Sequence, residues 1–192
     1  AVKRGGRFQT ELIPFADAGE GGSLYKVWLP LPKASASANL LADGQESRSR
    51  QGNVSGSIAD DDFQTAVVTF NDSPANADWF AVALDEPVTL SRVVFAHGKT
   101  FHDGGWFDAS GGKPRVEVKL ARDGSWESVG TLDDYPATTS GNAAGLSGGE
   151  RFACVFDAPK RVWAVRVEGK PAGGDNPAQA FSSCAEIQGF EK

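Results

Sequence analysis

Methionine is missing from this 192-residue chain altogether. The chain opens Ala1-Val2-Lys3, so its start reads as a cut or processed end, and the lack of a visible signal peptide carries no weight. No apolar run approaches the roughly 20 residues that cross a bilayer as a helix, so no membrane span is expected. A basic excess is lacking too: 19 Lys and Arg stand against 25 Asp and Glu, a formal charge of −6. Nucleic acids and anionic membrane surfaces are held by basic patches, so neither is an expected partner. Cysteine is scarce, and Cys154 and Cys184 fit no zinc spacing. They could form a disulfide closing a loop of about 30 residues, worth about 3–4 kcal/mol by chain entropy, or stay buried thiols. Cys154 alternates with Phe152 and Phe156 and so faces a core. Cys184 alternates with Glu186 rather than Ile187 and so points elsewhere. The residues leave both alternatives open.

What is present describes a soluble globular protein, one domain or one domain with an attachment: 40 % hydrophobic and 23 % charged residues, five tryptophans and 23 glycines. Period-two alternation dominates, and no amphipathic helix of useful length appears. The alternation predicts strands at 24–31, 64–70, 79–84, 89–96, 115–120, 125–130, 151–156, 161–168 and 185–190. Turn signals separate them, among them "LDEP" (84–87), "ARDGS" (121–125) and "FDAPK" (156–160). Many short strands with long glycine-rich connections read as an all-β, antiparallel sandwich.

Composition breaks near residue 33. Residues 34–57 are rich in Ala, Ser and Gly and read as a linker and lead-in loop. Residues 1–33 are too short to fold alone. They read as the tail of a preceding domain or an N-terminal edge strand, leaving residues 58–192 as the main sandwich.

From residue 58 onward the chain resembles the F5/8 type C (discoidin-like) family, and within it the family 32 carbohydrate-binding modules. The resemblance rests on "IADDDFQT" (58–65), "ADWFAVALDEPVTLSRVVFAHG" (77–98), "PRVEVKLARDGSWESVG" (114–130), "KRVWAVRVEG" (160–169) and "SSCAEIQGFE" (182–191), in that order. It implies an eight-stranded antiparallel jelly-roll β-sandwich of the galactose-binding-domain-like kind. It also implies a non-catalytic carbohydrate-binding module that anchors a secreted or periplasmic glycoside hydrolase to polysaccharide or another glycan. The other expected partner is the module's own catalytic domain. "ELIPFADAGEGGSLYKVWLPLP" (11–32) resembles, more weakly, the end of the β-sandwich that follows the catalytic barrel in bacterial β-L-arabinofuranosidase-like glycosidases. The alternative is a structural or interaction sandwich that packs on its own catalytic domain or another protein, with no sugar site.

The acidic stretch "DDDFQT" offers hard oxygen ligands: carboxylates at Asp60, Asp61 and Asp62, and a carbonyl at Thr65. Calcium takes six to eight such ligands. The family resemblance implies that Glu186 and the Ala185 carbonyl complete a structural calcium site, with Asp60 and Asp62 as ligands and Asp61 turned outward. The family usually has Asp-Gly-Asp here. A solvated acidic turn is the rival reading.

"FAHGKTFHDGGWFDASGG" (95–112) holds both histidines of the chain in one glycine-rich loop. His97, His102 and Asp103 match no zinc spacing. His102 beside Asp103 could be a base and its orienter, but no nucleophile setting accompanies them, so an enzyme is not expected. A sugar ring needs an aromatic platform and a few fixed polar groups. Trp106 and Phe107, or Phe101, could form the platform. His97, Lys99, His102 and Asp103 could supply the polar contacts, with Asp175, Asn176 and Phe181 from the loop before the last strand. The rival reading makes His97 a hydrogen-bonded structural histidine, Trp106 and Phe181 filler, and Lys99 merely solvated.

Overall fold

The structure, a computed structural model, describes residues 8–10, 28–30, 38–54 and 56–191. It divides into two units after Ala38. In the first, β1 (Phe8–Thr10) pairs antiparallel with β2 (Trp28–Pro30), which falls inside the strand expected at 24–31. The "ELIPFADAGEGG" stretch lies outside the described residues.

The second unit, Asn39–Lys192, is built from β3 (Gln45–Arg48), β4 (Val67–Val68), β5 (Asp78–His97), β6 (Arg115–Lys119), β7 (Glu127–Thr131), β8 (Arg151–Gly169) and β9 (Ser183–Phe190). The only helical element among the described residues is one 3-10 turn, Pro177–Gln179. Every strand pairing is antiparallel, in the order β4-β9-β5-β8-β6-β7 with β3 on β5. Among the described residues of this unit seven strands stand where eight were expected: β5 and β8, 20 and 19 residues long, each join two expected strands and run through both layers, and β3 is one that was not expected. The first half of β5 pairs with β3 and with the second half of β8 (Phe80↔Val167, Val82↔Val165). Its second half pairs with the first half of β8 (Phe95↔Phe152) and with β9 (Phe95↔Ile187). Register shifts between Ala83 and Val88, and again between Leu90 and Arg92, mark the bend. "LDEP" and "FDAPK" are therefore bends inside continuous strands, not turns between strands. Their prolines, Pro87 and Pro159, sit where the ladder is already interrupted, a place that tolerates a residue without an N–H.

Alternation explains the core. β6 turns Val116 and Val118 inward, and β8 turns Val165 and Val167 to meet them. Phe80, Phe95 and Phe107 close on one another with ring centroids 5.6–6.4 Å apart, and Tyr135 bridges Phe107 to Phe152. The sequence placed Cys184 off this core, and a bulge reverses that. Pairing steps from Ala96↔Glu186 to His97↔Cys184, so Ala185 is an extra residue and Cys184 joins Ile187 in the main cluster. Both cysteines are free and buried, and burial pushes both thiols up, Cys154 to about 11.

Of residues 34–57, whose composition suggested a linker, residues 39–54 are part of the sandwich unit. β3 is an edge strand with the sequence QESR, so it shows no apolar alternation to read. Leu41, just before it, is fully buried against Gly189, where a Cβ would stand 2.8 Å from its side chain.

Candidate functional site at the apex of the sandwich

A buried hydroxyl shows where the strand ends gather. Thr69 Oγ1 donates to Asp78 Oδ2 (2.5 Å) and accepts from the Ser182 N–H (2.9 Å). Asp78 opens β5. Ser182 precedes β9, whose Cys184 pairs with His97 at the far end of β5. Both ends of β5 thus reach one apex, and the connections 98–114 and 170–182 meet there. They interlock through the Gly105 N–H on Phe181 O, the Ala172 N–H on Trp106 O and the Asp175 N–H on His102 O. The Gly174 N–H on Ser140 O adds the connection 132–150. Gly174 has φ +55°, and a Cβ there would fall 2.1 Å from His102 O, so this crossing needs glycine.

The structure sorts the residues expected to bind sugar into two groups. Trp106 is not an outward platform: it is 3 % exposed, and its indole N–H donates to Thr139 O at 2.8 Å. The 132–150 connection covers the ring, satisfying its single donor while burying its large apolar area. His97 is likewise no ligand contact. It is fully buried, with Nε2 2.9 Å from Thr100 Oγ1 and Nδ1 unpartnered; desolvation lowers its pKa to about 4, so it is neutral. Phe181 is filler too, buried between Phe70 and Phe101 at 5.2 and 5.7 Å.

The other group lies at the surface. Phe101 is half-buried and bridges to Gly104 across a tight turn that carries His102 and Asp103. The His102 side chain is 80 % exposed, with Nδ1 3.8 Å from Asp103 Oδ1. Lys99 is exposed, and Asn176 is half-buried with its amide on Gln179 Oε1 at 2.8 Å. Asp175, also a candidate, is exposed beside them, so the rim offers one partly open ring, the Lys99 ammonium, the Asp103 and Asp175 carboxylates, the His102 imidazole and the Asn176 amide.

The acidic stretch lies against β9. The Ile187 N–H on Ile58 O (2.8 Å) holds it there. Asp60 Oδ1 accepts the Asp62 N–H, Asp62 Oδ1 accepts the Gln64 N–H, and Thr65 Oγ1 donates to Asp62 O. Asp61 sits at φ +60°, a left-handed position that aspartate tolerates better than most residues. Its carboxylate turns to the amides of Asn39 and Gln188 at 2.9 and 2.8 Å. Glu186 is fully buried, and neither carboxylate oxygen has a hydrogen-bond partner. Desolvation, with the Asp61 and Asp60 charges added, raises its pKa to about 7. The Asp60 and Asp61 backbone N–H groups offset part of this without reaching hydrogen-bond geometry. Among the described residues no three His, Cys, Asp or Glu side chains are grouped to hold a metal, so any ion here would depend on backbone carbonyls such as those of Thr65 and Ala185. In kind the groups fit calcium, being oxygens only and including an orphaned buried carboxylate.

Sequence reasoning missed Arg50, whose guanidinium reaches Asp78 Oδ2 (2.7 Å), Ala180 O (2.8 Å) and Asn71 Oδ1 (3.1 Å). It lies in the stretch read as a linker, and no local pattern marks it. Also missed is a groove on the flank of the sandwich, lined by Trp126 and Trp163. Trp126 signalled it, alternating with Ser128 rather than with a core residue; Trp163 is in phase with Val165 and Val167 and gave no such sign, because the register break beside it shows only in the pairing with β5.

No protein-family model matches the chain, and no curated protein sequence matches it. Solved structures do share its fold. The family 32 carbohydrate-binding module of C. perfringens NanJ, in complex with galactose, has a TM-score of 0.57 at 17 % identity, covering 81 % of this chain and 98 % of that one. The chitosan-binding module 1 of a chitosanase/glucanase from Paenibacillus sp. IK-5 has a TM-score of 0.54 at 18 % identity, covering 80 % and 98 %. The lectin domain of Lectinolysin, complexed with Lewis B antigen, has a TM-score of 0.53 at 15 % identity, covering 81 % and 97 %. At such identities the likeness establishes the fold: the antiparallel β-sandwich that alternation and resemblance had indicated.

Proposed function

From a fold shared with carbohydrate-binding modules, we propose that the second unit is a non-catalytic carbohydrate-binding module that engages a glycan at its apex. One observation carries the reading: Phe101, His102, Asp103, Lys99 and Asn176 come to one rim and stay at least partly open, on loops pinned from beneath by buried contacts. The C–H face of a sugar would lie on Phe101. His102, Asp103, Lys99 and Asn176 would exchange hydrogen bonds with its hydroxyls. Within a longer protein, a secreted or periplasmic glycoside hydrolase, such a module raises the local concentration of a catalytic domain on polysaccharide.

A structural calcium ion belongs to the same proposal. It would be held by the Glu186 carboxylate and the Thr65 and Ala185 carbonyls, with Asp60 and Asp62 turning in on binding because they are not grouped with Glu186 in this structure, and would neutralise a buried carboxylate that nothing else partners. Asp61 would stay outside the shell on Asn39 and Gln188.

The sealing of Trp106 and Phe181 favours a second reading, a sandwich that packs on its own catalytic domain or another protein without a sugar site. Calorimetric titration against a panel of neutral mono- and oligosaccharides separates the two. Binding that Phe101→Ala and His102→Ala weaken supports the module. Absence of binding across the panel, or indifference to both substitutions, supports the packing domain.

A further inference from the structure

The outer face of one layer carries a trough that the apical reading does not use. Register places Gln45, Ala83, Ala164 and Lys119 side by side across β3, β5, β8 and β6. In the next row stand Ser47, Ala81, Arg166 and Glu117. Alanines at outward positions leave the centre low. The half-buried indoles of Trp126 and Trp163 rise from it, and the hollow measures about 460 Å³.

Two cationic side chains of this trough stand over its indoles. The Arg122 guanidinium lies 5.4 Å from the Trp163 ring centre, and Lys119 Nζ lies 5.2 Å from that of Trp126. Arg166, also on Trp126, is neutralised by Glu117 and Glu168. Arg122 has only the exposed Asp85, at 3.8 Å, and Lys119 makes no ion pair among the described residues. Stacking on an indole restrains a long cationic side chain, so less entropy is lost when it meets an anion.

We propose that this trough is a second binding site, for an acidic saccharide whose carboxylates pair with Arg122 and Lys119. Its C–H faces lie over the alanine floor between the two indoles, and Gln45 and Ser47 meet its hydroxyls. The choice of a saccharide over other anions rests on the carbohydrate-binding reading. The choice of an acidic one rests on the two cations, because a guanidinium fork and an ammonium favour carboxylate over hydroxyl.

The test titrates the 192-residue chain with an oligouronate, its carboxyl-reduced neutral counterpart and hexaglutamate, by calorimetry at low and high salt. The expected result is oligouronate binding that falls with salt and weakens about tenfold in Arg122→Gln, Lys119→Gln and Trp163→Ala, with melting temperatures checked in parallel. His102→Ala leaves it unchanged, and the two control ligands bind the trough, read as binding that the trough substitutions weaken, at least tenfold more weakly. Equal binding of the reduced oligosaccharide that the trough substitutions weaken and His102→Ala does not overturns the acidic assignment, and equal binding of hexaglutamate overturns the saccharide. Oligouronate binding lost in His102→Ala but kept in the trough variants moves the site to the apex. If neutral sugars bind the apex while oligouronate does not bind, the trough proposal alone fails. If no saccharide binds, both readings fall.

Discussion

Arg50 and Asp78 meet in a buried ion pair, guanidinium Nη2 to carboxylate Oδ2 at 2.7 Å. The same carboxylate also accepts from Ser49 Oγ, Thr69 Oγ1 and Arg50 Nε, while the guanidinium goes on to Ala180 O. The lead-in segment, the start of β5 and the loop before β9 are thus tied at one point beneath the apex.

Removing one partner leaves the other buried and uncompensated. Asp78→Ala is expected to lower unfolding free energy by about 3–5 kcal/mol, read by denaturant titration. A loss below 1 kcal/mol would show that water relieves Arg50 and that the tie is loose.

Trp106→Ala is expected to cost about 3–5 kcal/mol of stability, as a buried aromatic does, without a selective loss of sugar affinity under folded conditions. Unchanged stability with affinity abolished would return the indole to the ligand surface.

His97 makes stability depend on pH. Its folded pKa, about 4, lies below the 6.5 of an unperturbed histidine, so the unfolded chain binds the extra proton first. The contribution is therefore whole above about pH 6.5 and is lost as pH falls towards 4, by about 3 kcal/mol. Glu186, raised to about 7 when no cation is bound, runs the opposite way, costing stability as pH rises from 4.5 to 7. Comparing His97→Gln with wild type across pH 4–7 isolates the histidine, and parallel curves would refute its part.

Calcium is expected to raise the melting temperature by about 6–10 °C at a hundredfold excess over its Kd, and EDTA to reverse the shift. Glu186→Gln should abolish that increment. A melting point indifferent to chelator would leave the acidic stretch a solvated turn.

Where the chain lies on a sheet, its sequence was legible. In β6 and β8 every second side chain faces one layer, so Val116, Val118, Val165 and Val167 announce the core. At three places alternation misled, for three different reasons. Pro87 and Pro159 looked like strand ends because a bulge that accommodates proline leaves no local mark. β3 looked like linker because an edge strand of four polar residues has nothing to alternate. Cys184 looked outward because the extra residue at Ala185 is visible only in the pairing with β5.

The amino-acid order by itself determined the all-β class, most strands and the glycine-rich loops, because periodicity and turn chemistry act over a few neighbouring residues. Tertiary structure alone decided that Trp106 and His97 face inward while Phe101 and His102 stay out, and that Arg50 finds Asp78. A loop side chain is buried or exposed according to which distant segment covers it. For Trp106 that segment is the one carrying Thr139, 33 residues on, and no local pattern encodes the meeting.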